Sequence, residues 1–353
     1  MRGIAVKPWN KAFQVAAVYV GTIVGTGFAT GKEIVEFFTQ FGFMGFFTIL
    51  ISGYFFISLG TSLMIKAIDL QAHSYEELNR YLFGNRLSKG VNFLMMAMLL
   101  GFCIVMLSGA GAVFEEQLKQ PKIAGVLLTV FLLFGVLLMG SKGLLAVNSF
   151  MVPLMILFNL LLLIHTVSGE EITNRFFFMP EKLSYWKPIL YAFIYPAMNL
   201  AMAQAVLVPL ASEIKDKVVI RLGGMLGGLI LTLLLLSSHL TLITLPEVAG
   251  YAIPMAVVMK GMLLPLFWIY VIVIYGEIFT SILGNMYGLE KQLKTYTRIK
   301  SPFIFTGIIL FVLCFSFLDY SMLLRVLYPL FGYISFVFFV LLWVKANKQP
   351  VER

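Results

Sequence analysis

The stretch from Val20 to Phe38, VGTIVGTGFATGKEIVEFF, combines residues that free main-chain groups with residues that carry charge. It holds four glycines, three threonines and the adjacent pair Lys32–Glu33. Glycine weakens a helix interior, and threonine supplies hydroxyl oxygens. Where a membrane helix unwinds, loose carbonyls can bind cations and helix N–H groups can bind anions. The stretch therefore predicts a binding site for a small charged ligand, although its two Gly-x-x-x-Gly patterns would also suit close helix packing.

The composition places this stretch in an integral membrane protein. Of the 353 residues, 60% are hydrophobic and 12% are charged, and the mean hydropathy is +0.94. A soluble domain has about 45–50% apolar and about 25% charged residues. Cys103 and Cys314 show neither a disulfide framework nor metal-ligand spacing. Because the sequence holds no phosphate-binding loop, nucleophile elbow or zinc motif, we expect no enzyme, no cofactor and no transition metal.

Ten apolar segments have the length of a membrane-spanning helix, which needs about 20 mainly apolar residues. They cover about 11–38, 42–66, 90–114, 123–141, 144–167, 187–212, 218–243, 261–288, 302–318 and 320–345. We therefore expect an all-α protein with ten transmembrane helices in a single domain, 1–353. Two halves of five helices, about 11–167 and about 187–345, would run in opposite directions and form an inverted repeat, although no clear residue identity relates them.

The charges of the connecting segments predict the orientation. With the N-terminus in the cytoplasm, 18 of the 26 lysines and arginines lie on the inner side and six on the outer side. This bias is the one that the positive-inside rule predicts for two cytoplasmic termini. We expect a multi-pass protein of a bacterial plasma membrane. The net charge of +9 is spread over short loops, so it indicates topology and no nucleic-acid partner.

The sixth segment carries the features of a second interruption. In ILYAFIYPAMNLAMAQAVLVPLASEI, Pro196, Asn199 and Gln204 break the apolar run. Proline removes one main-chain donor and clashes with the preceding helical turn. Interrupted spans at matching positions of two halves are a sequence indication of a transporter binding site. We therefore expect helices 1 and 6 to be broken at mid-membrane and to meet there.

Single residues around the two expected breaks have candidate roles. The proposed substrate-binding residues are Gly25, Thr26, Gly27, Phe28, Tyr195, Asn199 and Gln204. The N–H groups of Thr26, Gly27 and Phe28 would face a carboxylate, while the polar side chains of helix 6 would bind another polar group or simply join helices. Lys32 and Glu33 would contact the substrate, gate the site, or form an ion pair with the sixth or tenth span, where Arg325 lies, and a gate or ion pair is the preferred interpretation. Glu36 is expected to be solvated.

The motif GTIVGTGF, from Gly21 to Phe28, is similar to the unwound first helix of the LeuT-like sodium symporters. In length and number of spans, the chain resembles the YkvI-like bacterial membrane proteins of the amino acid–polyamine–organocation superfamily. The stretch GTGFATGKE carries most of this likeness. The resemblance implies a LeuT-like fold with a 5+5 inverted repeat.

The resemblance also implies a cation site. In the family, one sodium ion lies between first-helix carbonyls and a Thr-Ser pair of the eighth helix, with a further ligand three residues earlier. Carried over, Gly21 and Val24 would offer carbonyls, and Thr280 and Ser281 would offer hydroxyls. The earlier position holds Glu277 where the family usually has a small residue. That carboxylate could bind the cation, carry a proton or serve only structure, so the coupling ion is Na⁺ or H⁺.

The expected function is cation-coupled transport of a small polar or zwitterionic solute, for example an amino acid, by alternating access. A nutrient receptor on the same fold, which binds without net transport, is the alternative. The candidate ion site favours transport, because a receptor has no need of coupling. The sequence indicates neither the substrate nor the oligomeric state.

Overall fold

A computed structural model describes residues 8–138, 141–169, 172, 175–180, 186–262 and 264–346. Within these residues the regular structure is helical, without a strand. The α-helices are α1 (Pro8–Ile23), α2 (Thr26–Thr30), α3 (Lys32–Phe37), α4 (Phe43–Phe55), α5 (Thr61–Asp69), α6 (Tyr75–Glu116), α7 (Lys122–Leu138), α8 (Ser141–Ser168), α9 (Trp186–Ile214), α10 (Lys217–Ile243), α11 (Pro254–Met262), α12 (Leu264–Tyr296), α13 (Ser301–Phe315) and α14 (Tyr320–Ala346). Short 3₁₀ turns occupy Thr39–Phe41 and Val248–Gly250, and a π turn, Phe56–Gly60, joins α4 to α5.

Six helical segments in the described part are long and apolar enough to cross a membrane. They are Phe43–Asp69, Tyr75–Glu116, Trp186–Ile214, Lys217–Ile243, Pro265–Lys294 and Tyr320–Val344. Three further apolar helices are shorter, and the first expected span, 11–38, is divided among α1, α2 and α3. A multi-pass helical membrane protein is thus confirmed, while the number of ten spans stays a prediction. The junction of the fourth and fifth spans, residues 139–140, and both chain ends lie outside the described residues.

The first span is interrupted twice. Helix α1 ends at Ile23, and Gly25 is extended, with φ −127° and ψ −162°. Gly31, between α2 and α3, is left-handed with φ 78°, a conformation that glycine adopts without strain. The expected interruption at residues 25–28 therefore lies at Val24–Gly25, and Thr26 to Phe28 are helical. Gly21 and Gly27 are also within helices, so they do not cause the unwinding.

The prediction that helix 6 is broken is wrong, because α9 runs without interruption through Pro196 and Pro209. Pro196 cannot donate to the carbonyl of Ala192, one turn earlier. The Ser52 hydroxyl of α4 donates to that carbonyl at 2.8 Å, inside the buried core. A neighbouring helix thus satisfies the group that proline leaves free, which lets the helix continue through the membrane.

A capping box begins α6, where Ser74 Oγ accepts the Glu77 N–H at 3.4 Å, as the spacing Ser74-x-x-Glu77 predicts. The Glu77 carboxylate in turn accepts the His73 N–H at 2.7 Å. The helix that begins at Tyr75 and the expected third span, 90–114, are continuous in α6, with a kink at Gly84, whose φ is 80°. The connection after α8 is described only in part, at 172 and 175–180, where Phe176 and Phe177 contact Phe43 of α4.

Tyr19 connects α1 to the π turn. Its ring is fully buried, and its hydroxyl donates to the Phe56 carbonyl at 2.8 Å. A side chain at Gly60 would overlap the Tyr19 hydroxyl, and one at Gly227 of α10 would overlap its ring. Helix α1 also packs along α10 and α9, whereas α2 packs on α12. The helices before and after the Val24–Gly25 break, α1 and α2, therefore pack against different helices of the bundle.

Candidate functional site

The break at Val24–Gly25 leaves main-chain groups free at its two ends. The last hydrogen bond of α1 joins the Val24 N–H to the Val20 carbonyl at 2.8 Å, and the next joins Ala29 N–H to the Gly25 carbonyl at 2.9 Å. Among the described main-chain hydrogen bonds, none reaches the carbonyls of Gly21 and Val24. Such carbonyls at an unwound segment are suited to binding a cation. The side chain of Thr26 is not among the described ones.

Helix α12 brings a carboxylate and a hydroxyl to one side of the break. Ser281 Oγ lies 3.1 Å from the point that a Cβ of Gly25 would occupy. About three turns earlier on the same helical face, the Tyr270 hydroxyl donates to the Ala29 carbonyl at 3.3 Å. Glu277 lies between these contacts on that face, with 1% of its surface exposed and one carboxylate oxygen without a hydrogen-bond partner. Glu277 therefore shares the face of α12 that contacts residues 25–29, and its role in a cation site stays a prediction.

Thr280 has a different arrangement from the one expected. Its hydroxyl donates to the main-chain carbonyl of Glu277 at 3.0 Å. The Thr280 oxygen keeps a lone pair for a cation, but its proton is committed to its own helix. Ser281 and the free carbonyls of α1 thus lie at the break, and Glu277 lies on the same face of α12 as Ser281.

Glu33 occupies the other side of the break. A Cβ on Gly27 would overlap the Glu33 carboxylate, so this side chain lies directly over the main chain of α2. Glu33 is 4% exposed, and its carboxylate is near the Tyr195 hydroxyl and the Asn199 amide of α9. Glu33 Oε1 and the Tyr195 hydroxyl are buried, and neither has a hydrogen-bond partner by strict geometry among the described residues. Asn199 donates to the Tyr195 carbonyl at 3.0 Å.

The Tyr195 side chain is fixed by aromatic packing. Its ring is fully buried and lies 4.9 Å from that of Phe38 and 5.1 Å from that of Phe37, between ring centroids. These ring contacts orient the Tyr195 hydroxyl towards Glu33 and leave that hydroxyl able to form hydrogen bonds. Phe28, one of the expected substrate residues, is also buried, with 1% exposure.

Gln204 lies apart from the other expected substrate residues. It is nine positions after Tyr195, about 13 Å further along the helix at 1.5 Å per residue. Its amide donates to Met95 Sδ of α6 at 3.1 Å, and Asn79 donates to the same sulfur at 3.3 Å. This arrangement fits the interhelical role that the sequence analysis kept as an alternative for the amides of helix 6.

Lys32 and Glu33 do not form an ion pair with each other. Lys32 Nζ donates to the carbonyls of Ala249 and Tyr251, at 2.7 and 2.9 Å, and lies 3.9 Å from Glu36. Lys32 thus holds the connection between α10 and α11, whereas Glu33 points to α9. Adjacent residues on a helix differ in direction by about 100°, which explains the separation.

The expectation that Glu36 is solvated is wrong. Glu36 is 6% exposed, and Arg325 of α14 donates its Nε–H to the carboxylate at 3.3 Å. A buried carboxylate in a membrane helix requires such a partner. Sequence reasoning missed this pair because 289 positions separate its members.

Sequence reasoning also missed Glu116, which contacts the same connection between α10 and α11 as Lys32 does. Its carboxylate accepts the N–H groups of Ala252 and Ile253 at 2.9 and 3.1 Å. Lys32 and Glu116 therefore hold neighbouring parts of the segment 247–253, one through carbonyls and the other through N–H groups. The described residues contain no group of three or more His, Cys, Asp or Glu side chains that could hold a metal ion.

Two solved transporters share this fold. A manganese transporter of Eremococcus coleocola superimposes with a TM-score of 0.61 over 94% of this chain and 78% of its own, at 14% identity. Mhp1, a nucleobase-cation-symport-1 family transporter solved in a closed conformation with bromovinylhydantoin bound, gives a TM-score of 0.56 over 90% and 74%, at 11% identity. At these identities the likeness concerns the fold.

Sequence relatives cover nearly the whole chain. No protein-family model matches it. The protein YyaD of Bacillus subtilis (strain 168) is 23% identical over 95% of this chain and 96% of its own. The membrane protein YkvI of the same organism is 46% identical over 345 residues, 98% of each chain. This degree and extent of identity place the chain in the family of YkvI-like membrane proteins.

Proposed function

We propose that this protein is a secondary active transporter that couples the movement of a small polar or zwitterionic solute, such as an amino acid, to a cation. The observation that carries the proposal is an unwound membrane segment flanked by two buried carboxylates, Glu277 and Glu33. Intramembrane carboxylates without ion-pair partners mark ion or substrate pathways. The fold shared with solved transporters supports the same function.

The proposed cation site consists of the Gly21 and Val24 carbonyls, the Glu277 carboxylate and the Ser281 hydroxyl, with Thr280 beside them. Hard cations prefer such oxygen ligands. The adjacent hydroxyls favour Na⁺, because a simple proton carrier would need only the carboxylate. One structural neighbour is a manganese transporter. The described part of this chain contains no His, Cys, Asp and Glu cluster that could bind such a metal ion.

The proposed mechanism is alternating access around the Val24–Gly25 break, in a ten-helix 5+5 inverted repeat with both termini cytoplasmic. Helix α12 has an open side just beyond Ser281, because a Cβ on the exposed Gly284 would meet no atom within 4 Å. On the opposite side of the break, the Lys32 and Glu116 contacts hold the segment 247–253 against the bundle. We infer an outer side that is closed and an inner pathway along α12.

The test is uptake in proteoliposomes with imposed Na⁺ or proton gradients and a radiolabelled mixture of neutral amino acids. We expect uptake driven by the Na⁺ gradient. Glu277→Gln keeps the side-chain shape but removes the charge, so uptake should lose its dependence on the ion gradient while the protein remains folded. Glu290→Gln, which alters a carboxylate paired with Lys294 at the end of the same helix, is the matched control.

Unchanged ion dependence in Glu277→Gln would contradict the cation site. If that protein is normal but Thr280→Ala and Ser281→Ala lose sodium dependence, the hydroxyls form the site and Glu277 is structural. Saturable binding without any gradient-driven flux would favour a receptor instead of a transporter.

A further inference from the structure

The charge of Glu33 has no counterpart in the described protein. The nearest lysine, Lys32, binds loop carbonyls, and Arg325 binds Glu36. Among the described residues, no lysine or arginine forms an ion pair with Glu33. A charged carboxylate at membrane depth is unfavourable when no positive group compensates it. A bound positive group would provide that compensation.

The surroundings of Glu33 favour an organic group rather than a bare metal ion. Tyr195 and Asn199 are the polar neighbours of its carboxylate, and the Tyr320 hydroxyl of α14 lies 2.9 Å from the Thr30 hydroxyl of α2. Both tyrosines are at most 1% exposed. Phenol rings attract organic cations, and a carboxylate accepts N–H donors. The site thus offers a negative charge in aromatic surroundings.

The two carboxylates lie on different sides of the same short segment. Ser281 approaches Gly25 from α12, on the helical face that also carries Glu277, whereas the Glu33 carboxylate covers Gly27 and lies near Tyr195 and Asn199 of α9. The two carboxylates thus belong to different helices, and each has its own set of neighbours.

We propose that Glu33 binds the ammonium group of the transported solute, whose class is consequently small primary amines and amino acids. This proposal rests on the proposed transport function and adds the chemical class and the orientation of the solute. Glu277 binds the coupling ion, and Glu33 binds the positive end of the solute against Tyr195. Lys32 and Glu33, considered together from the sequence as a gate or pair, thereby have separate roles.

The test is thermal unfolding of the full-length protein in detergent with three four-carbon probes. These are n-butylammonium, butyrate and n-butanol, which carry positive, negative and no charge. Only n-butylammonium should raise the unfolding temperature of the wild type in a saturable manner, because a ligand that binds the native state stabilises it. Glu33→Gln should abolish this shift, or weaken the apparent Kd at least tenfold.

Matched variants separate this proposal from the transport function. Glu36→Gln alters a buried carboxylate one turn away and should retain the n-butylammonium shift. Glu277→Gln should also retain it but lose stabilisation by Na⁺, whereas Glu33→Gln should retain stabilisation by Na⁺. If Na⁺ stabilisation behaves as expected and n-butylammonium has no effect, or acts equally on Glu33→Gln, only the ammonium proposal is overturned.

A second variant covers the case in which Glu33→Gln does not fold. Tyr195→Phe removes the hydroxyl that faces Glu33 and keeps the ring that packs on Phe37 and Phe38. Its affinity for n-butylammonium should fall several-fold while its unfolding temperature without ligand stays near that of the wild type. Unchanged affinity in Tyr195→Phe would overturn the placement of the ammonium group.

Discussion

Gly27 is the residue at which one added carbon should disturb the site most directly. Its Cβ would occupy the space of the Glu33 carboxylate, which has no described cationic partner to anchor it elsewhere. We expect Gly27→Ala to displace Glu33 and to reduce solute binding at least tenfold, with a loss of stability of about 1–3 kcal/mol from overpacking.

Gly284→Ala is the control for this prediction, since the same added carbon meets no atom within 4 Å. Binding is measured by ligand-dependent thermal unfolding, and stability by unfolding without ligand. Equal effects of the two substitutions on binding would show that Glu33 does not depend on contact with Gly27.

At the scale of elements, the Ser52–Ala192 hydrogen bond explains how α9 accommodates Pro196. We expect Ser52→Ala to destabilise the protein by about 0.6–1.7 kcal/mol, the range measured for hydrogen bonds between membrane helices. In a Pro196→Ala background the effect should nearly vanish, because the alanine introduced there would supply its own N–H to the Ala192 carbonyl.

A double-mutant cycle measures the coupling between Ser52 and Pro196, with reversible unfolding in mixed micelles as the readout for each variant. Ser58→Ala is the control, because the Ser58 hydroxyl binds the Tyr54 carbonyl within its own helix. Additive effects of Ser52→Ala and Pro196→Ala would contradict the explanation.

The Ser52–Ala192 hydrogen bond also shows which features of the fold the sequence alone does not predict. The apolar segments, the capping box at Ser74 and the interruption near Gly25 follow from local composition, and the structure contains all three. The continuity of α9 depends on Ser52, which is 140 positions from Ala192. Proline predicts a missing donor, but only the packing of α4 on α9 determines whether another donor is present.

In the candidate site, too, local features were predictable from the sequence and contacts between distant segments were not. The sequence motif located the unwound segment, and local spacing alone predicts that Glu277, Thr280 and Ser281 share one face of a helix. It did not locate the partners of Lys32 in the 247–253 segment, which are 217 and 219 positions away. Contacts between distant segments depend on tertiary packing, so neither the Glu36–Arg325 pair nor the Glu116 contacts could be predicted.

The segment 247–253 should be mobile without its two side-chain anchors. Lys32→Met removes the donor to Ala249 and Tyr251, and Glu116→Gln weakens the acceptor for Ala252 and Ile253. We expect each change to raise amide hydrogen exchange of residues 249–253 at least fivefold, because fewer contacts oppose local opening.

Exchange is followed by mass spectrometry of the purified protein. The control is Lys260→Met, which alters an exposed lysine on the following helix. If exchange in 249–253 is unchanged in both anchor variants, other contacts hold the segment.

For the molecule as a whole, the proposed orientation and the proposed inner pathway along α12 predict access to the break from the cytoplasm. In a background with Cys103 and Cys314 replaced by alanine, Gly284→Cys should react with a thiol reagent applied to the cytoplasmic side. Ala29→Cys, at a fully buried position beyond the break, should react at least tenfold more slowly.

The measurement uses inside-out and right-side-out vesicles with a membrane-impermeant maleimide. It also tests the proposed orientation, since exposed cysteines replacing Lys291 and Lys260 should be labelled from the inner and outer sides, respectively. Labelling of Gly284→Cys only from the outer side would contradict both the orientation and the direction of the open pathway.

Tyr19 joins three parts of the bundle, and this packing should restrict which residues occur together at these positions in related sequences. Its hydroxyl fills the space above Gly60, and its ring fills the space above Gly227. A lineage that acquires a larger residue at position 60 or 227 has no room for tyrosine at position 19. Among relatives we therefore expect these three positions to change together, and a multiple alignment with larger side chains at 60 or 227 beside an unchanged Tyr19 would contradict this expectation.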